Sequence, residues 1–473
     1  MVKYGKANRT LNPDNIRFNL GTKKSCDVLW MNAENYLNKW MFPFPVAAKR
    51  NADEFVITVK VARECPEGVP QHGESEEYKL VVTQDGAQLF AETVWGAVRG
   101  MESVSQLIFY DREKARYNIR TVEIHDFPRF PIRGLMIDSS RHFLSTRIIK
   151  RQLDIMAMNK MNVLHWHLVD SESFPFVSTK FPNLSKVVGH TGSWRGQPGL
   201  LTECYDSAGK ETHLPNLIDP SNEANFKFLE EFLNEVVSTF PDDFLHLGGD
   251  EIEDFIVECW VRNPKIQEFM RSKSFGNDTT LLENYFFEKL DTIVKNLKTK
   301  RTPIFWQEVF DHNIPSKQSI IHIWKGSTHQ DIMHEVKTVT SKGFNAIVSA
   351  CWYLNYIKYG ADWRDEIPGT APSNSRYYYC DPTEFDGTAE QKALVLGGIA
   401  AIWGELVDNT NIESRLWPRA SAVAERLWSP KEKTKKAEDA WPRMHELRCR
   451  MVSRGFRFQP VNNPDFCPYE FDS

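Results

Sequence analysis

Beyond Pro131 the chain settles into one repeating grammar, which restricts its fold more than any other feature. Short apolar runs, each ending in polar or aromatic residues, alternate with segments of helical periodicity. The runs are 134–138, 161–170, 244–251, 302–308, 320–324, 346–352 and 394–405, and helical patterns such as 146–160 and 224–240 lie between them. Apolar strands without polar alternation are buried on both faces, as in a parallel sheet covered by helices. The seven units predict an α/β fold, a (β/α)8-type TIM barrel lacking one βα unit. In a barrel the C-terminal ends of the strands open into one shared mouth, where the chemistry sits. The missing unit falls at 171–222, a stretch rich in Gly, Pro and Ser whose one strand-like fragment is 184–188. An unstructured connection of that length is uncommon inside a compact domain.

The residues before the linker 127–131 read differently. Segments 55–61 and 78–83 are β-branched and predict strands, 84–87 predicts a hairpin turn, and 91–110 carries apolar residues at helical spacing. The expected organisation is a small α+β domain over 1–126 and a catalytic barrel over 127–473.

Composition removes several classes of function. Of 473 residues, 41% are hydrophobic and 26% charged, which excludes a disordered chain, a collagen and a coiled coil. A net charge of −5 provides no field to gather nucleic acid. The longest uncharged apolar stretch, 393–403, is well short of the roughly 18 residues a membrane span needs. The 8 cysteines form no CxxC pair, so they are either four disulfides of an oxidising compartment or buried thiols of a cytosolic enzyme. Sequons at Asn8, Asn183 and Asn277 suit secretion but are no more than chance supplies. Residues 1–6 hold no apolar signal core, so either a leader has been removed or the protein is not exported.

The chemistry concentrates at strand ends. In 246–251 an apolar strand ends in Gly248 and Gly249, then Asp250 and Glu251. The glycines permit close approach, and adjacent carboxylates in unlike environments can separate into an acid and an ionised partner. A helix start rich in acids would give the same pair, but the barrel context favours a site. Trp306, Trp324, Trp352 with Tyr353, and Trp403 end successive runs, and Trp306 and Trp403 are followed closely by Glu308 and Glu405. Indole walls with carboxylates suit a sugar, whose C–H faces stack while its hydroxyls need acceptors. His165 and His167, at period two on one strand, raise a rival: a metal-dependent hydrolase, or simply a packed histidine pair.

Segments 130–143, 162–170, 246–251 and 416–420 together resemble the glycoside hydrolase family 20 β-N-acetylhexosaminidases, most closely the animal lysosomal hexosaminidase subunits. The likeness extends through 92–96 in the preceding domain. It implies an exo-acting, retaining enzyme that removes terminal β-linked N-acetylglucosamine or N-acetylgalactosamine without a cofactor, the substrate's own acetamido oxygen serving as nucleophile. Carried onto this sequence, Glu251 is the acid/base and Asp250 the partner of the acetamido N–H. Tyr353 holds the acetamido oxygen, and Trp306, Trp324 and Trp403 wall the ring. Arg141 and Glu405 bind hydroxyls, Asp170 and His190 support them, and Asn355 touches the outer hydroxyls. The resemblance also implies disulfides Cys26–Cys65, Cys204–Cys259 and Cys449–Cys467, leaving Cys351 and Cys380 as a fourth pair, and a glycoprotein that is lysosomal or secreted and homodimeric.

Two departures stand out. The family has a helix and a strand between the positions of Asp170 and His190, and here about 35 residues, including the acidic partner of His190, are gone. A shortened isoform, a gene-model error and a true deletion all fit, and a catalytically impaired carbohydrate-binding form is the alternative function. Second, Tyr356 stands where one vertebrate subunit type has an arginine for anionic substrates, so sulfated or sialylated sugars are not expected to be favoured.

Overall fold

The computed structural model describes residues 1–21, 26–46, 53–186, 193–212, 217–252, 254–312, 315–356, 362–363, 377–461 and 466–467. Contacts divide the chain into two units. One comprises Met1–Pro131, Leu153–Asn162 and Ala424–Ser473, the other Ile132–Gln152 and Val163–Val423.

The first unit is a mixed sheet backed by helices. Its strands are β1 (Val2–Leu11), β2 (Ile16–Leu20), β3 (Phe55–Val61), β4 (Tyr78–Val82), β5 (Gly86–Ala91), β6 (Ile108–Asp111) and β7 (Arg116–Asp126). They run in the order β1-β7-β4-β5-β3-β2, with β6 on β7. Helices α1 (Asp27–Asn35) and α2 (Val94–Leu107) complete it. Alternation sets the core: Ile57, Val59 and Leu80 are fully buried together with Ala97, Met101 and Val104 of α2. Thr93 starts α2 by accepting from the Gly96 N–H. The helix is shorter than its apolar spacing suggests, because Ile108 turns extended and pairs with Ile119 of β7. Cys26–Cys65 and Cys449–Cys467 are disulfide-bonded.

The second unit is a curled parallel sheet. Its strands are β8 (Ile132–Asp138), β9 (Val163–His167), β10 (Phe244–His246), β11 (Thr302–Trp306), β12 (Ile320–Ile323), β13 (Asn345–Val348) and β14 (Val395–Ile402). Each of the seven predicted runs supplies one of them. Helix α3 (Thr146–Met158) follows β8, and α4 (Glu223–Thr239) precedes β10. The order is β10-β11-β12-β13-β14-β8-β9, so β9 and β10 are its two ends. No strand among the described residues pairs between them. The curl nevertheless brings His165 of β9 and His246 of β10 ring to ring, 4.5 Å between centroids.

The segment where the missing unit belongs is anchored by side chains. Residues 184–186 form a 3-10 turn and not the expected strand, because Leu184 is buried there as an aromatic-cluster residue; 187–188 lie outside the described residues. Phe181 meets Phe228 of α4 at 4.5 Å, and Phe174 meets Phe232 at 5.7 Å and Trp194 at 4.9 Å. Asn225 donates to the carbonyls of Gly199, Leu200 and Asp219, and a short antiparallel bridge joins Leu201 to Ile218. The disulfide Cys204–Cys259 ties it to the helix Asp254–Arg262, and Cys351–Cys380 closes the fourth pair.

Candidate active site

The strand ends of the second unit converge on an aromatic box. Trp306 lies 6.4 Å from Trp324 and 6.1 Å from Trp403, and Tyr353 lies 6.3 Å from Trp324 and 6.5 Å from Trp403. Trp352 is not part of it. It is fully buried and donates its indole N–H to the Tyr377 carbonyl, while Tyr353 faces the box. Glu308, expected as an acceptor for sugar hydroxyls, instead braces Trp324: the indole N–H donates to it at 2.9 Å, and Lys325 Nζ pairs with it at 2.7 Å. The Tyr353 hydroxyl sits beside the Trp403 indole and has no other partner among the described residues. Burial pushes that hydroxyl well above the ordinary tyrosine range.

The two acids leave β10 through backbone only glycine adopts easily. Gly248 and Gly249 have φ of +74° and +93°, and Glu251 follows at +50°. At Gly249 a Cβ would stand 2.3 Å from Cγ2 of Val309. The Gly248 carbonyl accepts from the Trp306 N–H at 3.0 Å, which ties the turn to the box. Burial, followed by the charges of Glu308, Glu251 and Asp170, outweighs a favourable backbone hydrogen bond and raises the Asp250 carboxyl to about 6. The raised carboxyl is therefore Asp250, the member expected to stay ionised. Glu251 is exposed and makes no polar contact among the described residues.

Arg141 is held by three carboxylates. Nη1 meets Asp138 at 2.9 Å, Nη2 meets Asp170 at 2.9 Å, and Nε meets Glu172 at 3.0 Å; the guanidinium stacks 5.1 Å from the Trp403 ring. Burial disfavours its charge, but these acids outweigh that and raise its pKa. Asp138 also accepts from the Gly404 N–H at 2.9 Å, joining the ends of β8 and β14. Its position at the end of a predicted run was the available signal. Asp170 is half-buried, which favours its neutral form, yet a hydrogen bond from His167 at 2.8 Å and the Arg141 charge hold it below the usual carboxylate range. Asn355 Oδ1 is buried without a partner among the described residues, and Glu405 is exposed beside Trp403. His190 lies outside the described residues.

His165 and His167 do not act as a pair. His167 is taken by Asp170 and packs edge-on to Trp403 at 4.8 Å, whereas His165 packs on His246 and lies 5.7 Å from His322. Neighbours on other strands, more than the shared face, decide where each ring goes.

An indole-walled mouth at the C-terminal ends of a parallel sheet, with buried acids, defines the class as a glycoside hydrolase. Residues 130–198 and 188–431 match the family described as "Glycosyl hydrolase family 20, catalytic domain", and 16–107 match "beta-acetyl hexosaminidase like". The chain belongs to glycosyl hydrolase family 20. It is similar to "Beta-hexosaminidase A" of Caenorhabditis elegans, 65% identical over 506 residues covering 100% of this chain and 91% of that one. It is 40% identical to "Beta-hexosaminidase subunit beta" of Homo sapiens over 470 residues, 91% of this chain and 80% of the relative. Among solved structures, a Flavobacterium johnsoniae chitobiase superposes with a TM-score of 0.76 at 27% identity, covering 96% of this chain and 72% of that one. An alignment of 506 residues against a chain of 473 leaves at least 33 positions opposite gaps, the size of the missing unit, and the family match itself breaks at 188–198.

Proposed function

We propose that the mouth of this enzyme removes terminal β-linked N-acetylglucosamine or N-acetylgalactosamine with retention, each step carried by the residues above. The sugar ring lies against Trp306, Trp324 and Trp403. The acetamido N–H donates to Asp250 and the acetamido oxygen accepts from the unpartnered Tyr353 hydroxyl. That oxygen attacks the anomeric carbon as the glycosidic C–O bond breaks, and Glu251 transfers its proton to the leaving oxygen. Glu251 then takes a proton from water, which opens the oxazolinium ion and restores the acetamide. Positive charge growing on the acetamido group favours the ionised form of Asp250 in the transition state. Holding the nucleophile on the substrate makes the attack intramolecular, worth about 7–11 kcal/mol at best. Arg141, Glu405 and Asn355 meet the ring hydroxyls, with Asp170 and His190 supporting.

The observation that carries this reading is the buried, unpartnered Tyr353 hydroxyl inside the indole box that Asp250 adjoins. Glu251→Gln should retain turnover on an aryl N-acetylglucosaminide with a good leaving group and lose it on a poor one. Unchanged turnover on both would remove Glu251 from the mechanism. The carbohydrate-binding alternative predicts sugar binding with no hydrolysis by the intact chain, and the 65% identity to a beta-hexosaminidase does not favour it. The four disulfides suit an oxidising compartment, lysosomal or secreted, and we infer a homodimer, which sedimentation would test.

A further inference from the structure

His165, His246 and His322 take no part in the steps above, yet they are packed together against Trp306, with His322 stacked on its ring at 4.3 Å. A nitrogen from each falls within 4.8 Å of the others, so a metal is the first occupant to weigh. Two features oppose it. His165 and His246 stack with 19° between their planes, so their in-plane lone pairs run side by side instead of converging. In addition, neither nitrogen of His246 is open.

The hydrogen bonds fix both tautomers from opposite ends. The Gly248 N–H donates to His246 Nδ1 at 3.1 Å, so a neutral His246 carries its proton on Nε2. At the other end Ser349 Oγ donates to the Ile399 carbonyl at 2.7 Å, so at 2.6 Å it accepts from His322, whose proton is on Nε2. The remaining contact, His246 Nε2 to His322 Nδ1 at 3.1 Å, then has one proton and one lone pair, as both deductions require. The chain Gly248–His246–His322–Ser349–Ile399 crosses from β10 to β14 with every donor matched.

Resting on the hexosaminidase reading, we infer that His246, His322 and Ser349 are positioning residues that hold the Gly248 peptide and thereby aim Asp250 and Glu251. Gly248 is clamped on both sides, its N–H by His246 and its carbonyl by the Trp306 N–H. Burial keeps His246 and His322 neutral far below the ordinary histidine range, so the lone pair that Gly248 needs persists in acid.

His322→Gln keeps both links, because the amide oxygen accepts from His246 and the amide N–H donates to Ser349. His322→Leu cuts both. On an aryl N-acetylglucosaminide the Gln variant should stay within about threefold of wild type in kcat. The Leu variant should fall about 100-fold in kcat, with KM and N-acetylglucosamine affinity moving less than about threefold. Equal kcat for the two variants, or a change confined to KM, would overturn the inference. Should the Leu variant fail to fold, Ser349→Ala, which removes the acceptor for His322 together with the donor to the Ile399 carbonyl, should lower kcat about tenfold with KM unchanged; wild-type kcat would overturn the relay. Histidine nitrogen NMR of the wild-type chain separates this inference from the activity itself. His246 and His322 both protonated on Nε2 between pH 5 and 7 supports the relay, whereas either on Nδ1, or zinc bound by wild type and lost in His322→Leu, defeats it whether or not hexosaminides are cleaved.

Discussion

The two sides of the parallel sheet hold together by different means. From β10 round through β14 to β9, continuous backbone ladders fix register, as where Gly397–Ile402 lies opposite Ile132–Ile137. Between β9 and β10 there is no such ladder among the described residues, and imidazole stacking and the aromatic cluster on α4 occupy that side. Loss of a strand from a parallel sheet leaves unpaired backbone at two edges. Dense side-chain burial and local hydrogen bonds, such as those of Asn225, are what such an edge has in place of pairing. The side with ladders delivers Trp306, Trp324, Tyr353 and Trp403, and β10, laddered to β11 alone, delivers Asp250. Beside the gap, at the end of β9, Asp170 is held by side chains, His167 and Arg141.

The largest effect should come from unstapling the gap side. Cys204 and Cys259 are 55 residues apart, so replacing both with Ala should cost about 4 kcal/mol, against about 3 kcal/mol for Cys449 and Cys467, which are 18 apart. Denaturant melts check the difference. A loss below about 1 kcal/mol for the first pair would mean that the segment holds without its crosslink. Next, on the side with ladders, Gly249→Ala places a methyl against Val309 in a backbone region hostile to side chains. We expect about 1–3 kcal/mol lower stability and a loss of at least about 100-fold in kcat, because the strain falls on the turn carrying both acids. A variant with unchanged kcat would show that this turn does not aim them.

The same division explains what was legible in the sequence. Apolar runs buried on both faces announce themselves, so all seven strands, and the place where one is wanting, could be read without coordinates. The aromatic box was legible because strand ends converge in any barrel. Period two does not tell which of two adjacent aromatics turns inward, so Trp352 was grouped with the box although its indole binds the Tyr377 carbonyl. The braces were invisible for a related reason. Glu172 acquires meaning only through Arg141, and Glu308, expected to meet sugar hydroxyls, is taken by Trp324 and Lys325; sequence spacing does not report such contacts. In the first unit β1 and β7 went unread, since exposed and polar residues interrupt their alternation.

Asp250 supplies a smaller effect with a definite sign. Its folded pKa, about 6, lies above the ordinary 3.8, so the folded chain binds this proton more tightly than the unfolded chain between those values. The contribution is favourable in acid and is lost as pH rises through about 6. Two pKa units correspond to about 3 kcal/mol, and partial exposure reduces that to about 1–2 kcal/mol. Asp250→Asn should therefore be more stable than wild type at pH 7 and nearly equal to it at pH 4, while losing most activity. Thermal melts at the two pH values decide it, and a stability difference independent of pH would show that Asp250 is not strained by its charge.

Tyr353→Phe should change stability least and so isolates function on the side with ladders. The hydroxyl is buried without a partner beyond the neighbouring Trp403 indole, so its removal strands no strong hydrogen bond, and the ring contacts with Trp324 and Trp403 remain. Stability should shift by no more than about 0.5 kcal/mol. Turnover should nevertheless fall about 10–30-fold, the worth of one hydrogen bond to an acetamido oxygen that becomes a nucleophile. Paired melts and kcat measurements test both halves. A destabilised variant with normal turnover would make Tyr353 a packing residue and remove it from the chemistry, whereas the expected result shows that a site aimed by backbone ladders can lose a functional atom without loosening the sheet that presents it.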